Sequence, residues 1–361
     1  MNRKPIVGID ALQPQAGFNA IIDVRSPAEF ADDRAPGAIS CPVLDDEERA
    51  RVGTIYKQVS PFEARKVGAA LVSRNIAAHI EALFLDKPRD WRPLVYCWRG
   101  GQRSGAMVTV LRQIGWDACQ LEGGYKAYRR HVLAELERVP TSFRYVVLTG
   151  ATGSAKTRIL QSIGRQGGQV LDLEAIACHK GSVLGRLPDT PQPPQKLFES
   201  ELLVALNGLD PARPVFVEAE SRKIGNLQVP DALIGRMRDS PCIDVAAPRT
   251  ARVEFLLGDY DYFTRNLERL LHHLDALRPL RSNEKVDSWA DLARAGRWRE
   301  FVDALLGEHY DALYQASQER NYREHQEPFF RLETDRLDAD SIDRLAARAI
   351  GATQQMPAVA A

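Results

Sequence analysis

The chain is short of the features that fix a protein's class from composition alone. It has five cysteines among 361 residues, an odd number with no Cys-x-x-Cys pair and no zinc-type Cys/His spacing. That excludes a disulfide scaffold or zinc module and fits reduced thiols in a cytosolic compartment. No run approaches about eighteen consecutive apolar residues, and no apolar signal core follows Met1-Asn2-Arg3-Lys4-Pro5, so neither a membrane span nor a secretory leader is expected. Net charge is absent too: 48 Lys and Arg balance 48 Asp and Glu, so a nucleic-acid partner must be met by local basic patches. What remains is 44% apolar content, in a length that suits two domains with a core each. The expectation is a soluble, cytoplasmic protein.

Two loops carry the chemistry. Cys97 opens the run Cys97-Trp98-Arg99-Gly100-Gly101-Gln102-Arg103-Ser104, directly after the apolar stretch Pro93-Leu94-Val95-Tyr96. A thiol at a strand's end, followed by a glycine turn, faces converging backbone N–H groups; with Arg99 and Arg103 nearby its pKa should fall and its nucleophilicity rise. The same ring would hold a tetrahedral oxyanion. A second anion cradle, Gly150-Ala151-Thr152-Gly153-Ser154-Ala155-Lys156-Thr157, follows the strand-like run Tyr145-Val146-Val147-Leu148. It matches a P-loop at Gly150, Lys156 and Thr157, with Ala155 where glycine normally precedes the lysine. Gly150 and Gly153 let the backbone wrap an anion, Lys156 neutralises it, and Thr157 can ligate magnesium.

The pattern along the chain is α/β. Strands are expected at Ala20 to Val24, Pro93 to Tyr96, Arg144 to Leu148, Gln169 to Leu173, Pro214 to Glu218 and Cys242 to Val245, with helices at Ala64 to Leu85 and Gly105 to Ile114. Strands alternating with helices imply parallel sheets with ligands at the strands' carboxyl ends, where Cys97 sits. After residue 250 the pattern is helical, through Val253 to Leu257, Phe263 to Leu277, Trp298 to Leu306 and Ser341 to Ile350. Pro188 to Pro194 forms a proline-rich loop.

The residues around Cys97 resemble a known family. Ile22-Asp23-Val24-Arg25-Ser26-Pro27-Ala28-Glu29-Phe30, then Pro36-Gly37-Ala38-Ile39-Ser40, the cysteine loop, and Leu121-Glu122-Gly123-Gly124-Tyr125 resemble the ordered motifs of a rhodanese domain. Such domains move sulfur or selenium on a cysteine. Arg103 lies six residues after Cys97, a Cys-x5-Arg ring of the size used by cysteine phosphatases, which suits a donor bearing a phosphoryl group. A rhodanese domain followed by this P-loop resembles the bacterial tRNA 2-selenouridine synthases, and the likeness continues through Asp172-Leu173-Glu174, His179-Lys180-Gly181-Ser182, Glu218 to Gly225, Asp259-Tyr260, and His309-Tyr310-Asp311 with Tyr314.

That resemblance implies a rhodanese-like parallel-sheet domain at residues 1–130, a linker at 131–143, a P-loop NTPase-like α/β domain at 144–250, a helical C-terminal extension at 251–351 and a tail at 352–361. It implies a transferase acting on the wobble 2-thiouridine of tRNAs for lysine, glutamate and glutamine. S-geranylation from geranyl diphosphate is followed by replacement of the geranylthio group with selenium from selenophosphate. Cys97 would be the catalytic nucleophile, with Arg99, Gly100, Gly101, Gln102, Arg103 and Ser104 holding selenophosphate. Gly150, Thr152, Gly153, Ser154, Ala155, Lys156 and Thr157 would hold the diphosphate. No tightly bound cofactor is implied; magnesium is compatible with Thr157. Ala155 and Cys178 depart from the family pattern.

Duller roles compete at several positions. Glu218 and Glu220 with Arg222 and Lys223 form a strand end able to grip a metal–diphosphate unit, with Asp172, Glu174, His179 and Ser221 as further supporting candidates. The competing roles are solvated strand ends or partners of Arg222 and Lys223 for Glu174, Glu218 and Glu220, and packing or capping for His179. Arg278, Arg281, Lys285, Arg294, Arg297 and Arg299 either meet tRNA phosphates or form a plain charged face. A P-loop kinase or NTP-driven protein with a fused sulfurtransferase or phosphatase-like domain is the alternative function, and a tRNA-binding scaffold the third.

Overall fold

The computed structural model describes residues 5–182, 184–314 and 328–354. It divides into two compact units, one of residues 1–135 with 194–204, the other of residues 136–193 with 205–361.

The first unit is built on five parallel strands: β1 (Ile6–Val7), β2 (Ala20–Asp23), β3 (Ala38–Ser40), β4 (Pro93–Tyr96) and β5 (Cys119–Leu121), in the order β1-β5-β4-β2-β3. All four residues of β4 and all three of β5 are buried, and β4 accordingly reads as a continuous apolar run rather than an alternating one. Ile22, Val95, Met107, Leu111 and Trp116 share the core beneath one face. The helix expected from Ala64 runs as Pro61–His79, opened by Ser60, whose hydroxyl accepts from the amides of Phe62 and Glu63, and continued by a π turn over Ile80–Phe84. Residues 131–138, set aside in the sequence as a linker, continue the helix Gly124–Arg138, and Val139–Ser142 follow as a 3-10 turn. Residues 194–204 group with this unit, where Lys196 pairs with Asp32 at 2.6 Å and Arg129 with Glu199.

The second unit also carries five parallel strands, β6 (Tyr145–Thr149), β7 (Gln169–Leu171), β8 (Val215–Glu218), β11 (Cys242–Ala246) and β12 (Phe330–Glu333), in the order β12-β11-β6-β8-β7. A short hairpin, β9 (Lys223–Ile224) with β10 (Leu227–Gln228), stands apart. Strand β6 is central, with its neighbours β8 and β11 reached by separate crossovers, so its carboxyl end is the switch point where an open α/β sheet takes ligands. The P-loop begins there.

Two features differ from the sequence reading. Strand β7 is shorter than the expected Gln169 to Leu173, because Asp172 turns the chain and accepts from Ala175 N at 2.9 Å, capping the helix Leu173–Ala177. The C-terminal region is not wholly helical. Phe330–Glu333 joins the sheet edge beside β11, and the helix Ala339–Thr353 packs Ile342, Leu345, Ala346 and Ala349 into the core with Ile159, Leu160 and Ile163 of the P-loop helix. A four-residue strand with one buried residue, Leu332, offers too little periodicity to be read alone. Of the tail, residues 355–361 lie outside the described residues.

Candidate active site: an activated thiol and a P-loop

Cys97 follows β4 and is 3% exposed. Its Sγ accepts from Gly101 N at 3.2 Å and from Ser104 Oγ at 3.1 Å. Burial opposes ionisation most strongly. The Ser104 hydroxyl and the amides of Ser104, Gly101 and Arg99 outweigh it and hold the thiol below its ordinary pKa. The helix Gln102–Ile114 starts at this point, so its N-terminal dipole adds to the effect. By contrast, burial pushes the Cys41 thiol up to about 12 and Cys242 up to about 11, which makes both inert near neutrality.

The loop's shape depends on glycines that the structure uses tightly. Gly100 has φ 63°, and a Cβ there would lie 2.6 Å from the Leu121 carbonyl oxygen; Gly124 has φ 56°, and a Cβ there would strike the Cys97 carbonyl. Only glycine reconciles that backbone with that proximity. Tyr125 N donates to Cys97 O at 2.8 Å, tying the Leu121 to Tyr125 motif to the cysteine loop. Beneath them Arg25 forms a buried pair with Asp23, Nη2 to Oδ2 at 2.7 Å, and lies 3.9 Å from the centre of the Tyr125 ring. Removing either partner leaves a buried charge, at a cost of about 3–5 kcal/mol. The motif residues therefore brace the loop from below.

Two residues of this site were not singled out from the sequence. Gln120 Nε2 donates to Ser104 Oγ at 2.9 Å and to Gly101 O at 3.0 Å, which leaves the Ser104 proton directed at the sulfur. Glu29 accepts from Arg103 Nη1 at 3.0 Å and Arg49 Nε at 2.9 Å, so Arg103 is held by a carboxylate rather than free beside the thiol. Glu29 stands within a quoted motif; Gln120 directly precedes one. Arg99 and Gln102 are exposed.

In the second unit the P-loop wraps as its glycines suggest, with Gly150 at φ 143° and Gly153 at φ 83°. Ala155 adopts φ 62°, the left-handed conformation that glycine holds without cost. Its methyl is buried in the core with Ile159 and Leu160, and that packing offsets the strain. Lys156 Nζ donates to Gly150 O at 2.8 Å, folding the ammonium over the loop. Ser154 Oγ is buried without a hydrogen-bond partner, an orphan donor inside an anion-sized ring.

Thr157 gathers carboxylates. Its hydroxyl lies 3.2 Å from Glu218 Oε2 and 3.3 Å from Glu174 Oε2, while Glu218 Oε1 is buried with no partner. Glu174, Glu218 and Glu220 are each pushed up to about 8, first by burial and then by one another's charge, with Lys156 pulling the other way. Among the described residues no group of three His, Cys, Asp or Glu is arranged to hold a metal by itself.

The remaining sequence candidates fall elsewhere. Ser221, Arg222 and Lys223 are exposed, Ser221 bonding within its own turn and Arg222 pairing with Asp231 at 3.4 Å. His179 is buried and pairs its backbone with Arg186. The loop at Pro188 to Pro194 is pinned by Gln192 Nε2, which donates to Ile224 O at 2.9 Å. Of the six cations weighed for tRNA, five sit in ion pairs, Arg278 with Asp275, Lys285 with Glu308, Arg294 with Asp291, Arg297 with Glu300 and Arg299 with Glu254; a paired face is a weak phosphate patch. Arg252 was unremarked in the sequence. It donates to Thr152 O at 3.0 Å and holds Asp311 in a two-pronged pair, bracing the P-loop from a distant helix.

A thiol in an amide ring on one parallel sheet, and a phosphate cradle at the switch point of another, define a rhodanese-like domain joined to a P-loop α/β domain. Residues 9–131 match the Rhodanese-like domain family, and residues 143–286 match the tRNA 2-selenouridine synthase AAA domain family. The chain is 40% identical to the tRNA 2-selenouridine synthase of Nitrosomonas europaea over 72% of its own length and 68% of that protein's. It is 32% identical to that of Marinobacter nauticus over 81% and 87% of the two lengths, and 32% identical to that of Bdellovibrio bacteriovorus over 84% and 89%. The chain belongs to the tRNA 2-selenouridine synthase family. No helix among the described residues is long and apolar enough to cross a membrane.

Proposed function

We propose that the protein is a cytoplasmic enzyme that modifies the wobble 2-thiouridine of tRNAs for lysine, glutamate and glutamine, first with a geranyl group and then with selenium. The observation that carries this is the pairing, in one chain of this family, of an activated thiol in an oxyanion-sized ring with a separate phosphate cradle. In the first step the geranyl C–O bond breaks, with its electron pair leaving on diphosphate. The thiocarbonyl sulfur forms the new S–C bond, and the uridine N3 proton goes to solvent. Lys156, Ser154 and the loop amides take up the charge that grows on diphosphate. In the second step the Cys97 thiolate takes the phosphoryl group of selenophosphate, and the P–Se bond breaks with its electron pair on selenium. The released hydrogen selenide adds to C2 and expels geranylthiolate; water then returns Cys97 to the free thiol and releases phosphate. Cys97 is the nucleophile toward the selenium donor, whose phosphoryl oxygens sit in the ring of Gly100 to Ser104 amides under Arg99 and Arg103.

The unpartnered Oε1 of Glu218 and the hydroxyl of Thr157 suit a magnesium ion, which takes few protein ligands and completes its shell from water and phosphate oxygens. Bound there, it would neutralise diphosphate charge. Strand β8 ends in Glu218 rather than an aspartate, and Lys156 with Thr157 needs no hydrolysis to hold a leaving group.

The test reads nucleosides from tRNA by mass spectrometry in cells carrying each variant. Cys97→Ser keeps the loop but removes the ionising group: selenouridine should vanish while S-geranyl-2-thiouridine accumulates. Lys156→Ala should cut geranylation by about 10²–10³-fold. Wild-type selenouridine in Cys97→Ser, or loss of both products with the protein folded, refutes this division of labour. ATP turnover coupled to neither product would favour the kinase-like alternative.

A further inference from the structure

Beside the P-loop lies a small cavity of about 60 Å³, to whose lining Thr152 of that loop and Ser182 contribute. Its walls are Leu256, Leu270, Phe301, Val302, Leu305 and Leu306, with the rings of Tyr260 and Tyr310, and no charged side chain lines it. The apolar wall touches the anion loop itself: a Cβ on Gly153 would lie 2.9 Å from Leu256 Cδ1. An apolar cavity left empty costs stability, because its lining loses contacts on one side. Here it borders a phosphate cradle. A second cavity also adjoins the loop, at Ala151, but Asp244, Arg252, Arg331, Glu333 and Asp335 line it. A hydrocarbon placed there would lie against five charged groups and strip water from them.

We propose that the slot between Thr152 and Leu306 seats the hydrocarbon chain of the diphosphate ester whose head the P-loop holds. This rests on the reading of Gly150 to Thr157 as a diphosphate site and adds the specificity element. At about 60 Å³ the cavity matches only a few carbon atoms of such a chain, so its leucine and phenylalanine walls must move apart to admit the rest. Of its walls, Leu270, Leu305 and Leu306 are nearly fully buried. Tyr260 and Tyr310 add aromatic surface suited to an unsaturated chain, and the Lys180 ammonium lies 4.2 Å from the centre of the Tyr260 ring. The helices Arg249–Asp259, Leu267–Asp275 and Trp298–Leu305 that build the slot thereby acquire a task beyond covering the sheet.

Titration calorimetry on the purified full-length protein compares inorganic diphosphate, dimethylallyl diphosphate and geranyl diphosphate. Each buried methylene contributes a few-fold in affinity, so geranyl diphosphate should bind at least about tenfold more tightly than inorganic diphosphate. Val302→Phe, at a half-buried wall position, and Leu270→Phe, at a buried one, should each erase most of that increment. Inorganic diphosphate should bind both variants as it binds the wild type, which also reports an intact fold. Equal affinity of the wild type for geranyl and inorganic diphosphate overturns the proposal, as does an increment untouched by both substitutions. Geranyl transfer to thiolated tRNA is measured in parallel. If it is absent while the binding increment and its loss on plugging persist, the transferase reading fails and the pocket stands.

Discussion

Ser104→Ala isolates what makes Cys97 reactive. The Ser104 hydroxyl is fully buried, accepts from Gln120 Nε2 at 2.9 Å and points its proton at Cys97 Sγ, 3.1 Å away. A hydrogen bond to a charged partner is worth about 1.5–3 kcal/mol, and 1.36 kcal/mol corresponds to about tenfold in an ionisation equilibrium. Burial alone pushes this thiol toward its neutral form, and the hydroxyl is the largest of the groups that oppose burial. Removing it should therefore lower the thiolate population on the acid limb of the titration by about ten- to a hundredfold. The assay is iodoacetamide alkylation of the folded protein across pH, followed on the Cys97 peptide by mass spectrometry. Cys41 and Cys242 stay silent, since both are held well above neutrality. The midpoint should move to higher pH in Ser104→Ala, and in Gln120→Leu by a smaller amount, because an unanchored hydroxyl samples other directions. An alkylation profile identical to the wild type in Ser104→Ala would show that the amide ring alone sets the thiol's ionisation.

Two further outcomes follow from the geometry. Gly124→Ala forces a Cβ against the Cys97 carbonyl at φ 56°; urea unfolding should show a loss of at least about 2 kcal/mol, whereas Gly235→Ala, where a Cβ meets nothing within 4 Å, should be neutral or stabilising. Glu174, Glu218 and Glu220, held at about 8 against an ordinary 4.5, bind more protons folded than unfolded. The stability they confer is complete below about pH 4.5 and lost as pH rises through about 8. The Tm of the ligand-free protein should fall between pH 6 and 9, and less steeply in Glu220→Gln; an equal slope in the two proteins would remove mutual repulsion as the cause.

The sequence by itself determined the parts whose chemistry is local. A thiol followed by glycines at a strand's end, and a Gly-x-x-Gly-x-x-Lys-Thr run between strand and helix, carry their backbone requirements in the residues themselves: Gly100, Gly124, Gly150 and Gly153 all take positive φ, which few other residues tolerate. Strands β2, β4, β6, β8 and β11 were legible because their apolar runs are continuous, whereas β1, β3 and β5, of two or three residues each, were not read. Ala155 was visible as a departure, but only the fold shows that the position is left-handed and that a buried methyl compensates.

Tertiary structure alone decided what depends on distant residues meeting. Gln120 on β5 orients Ser104, in the first turn of the helix Gln102–Ile114, across 16 positions, Glu29 holds Arg103 across 74, and Arg252 braces Thr152 across 100. Strand β12 is defined by its neighbour β11 rather than by its own four residues. The three glutamates acquire their shared protons only when burial brings their charges together around Thr157. The apolar slot has no sequence signature at all, because its walls come from separate helices whose leucines look like ordinary core. Hydrogen-bond direction, desolvation and enclosed volume are properties of the packed chain, and no window of sequence contains them.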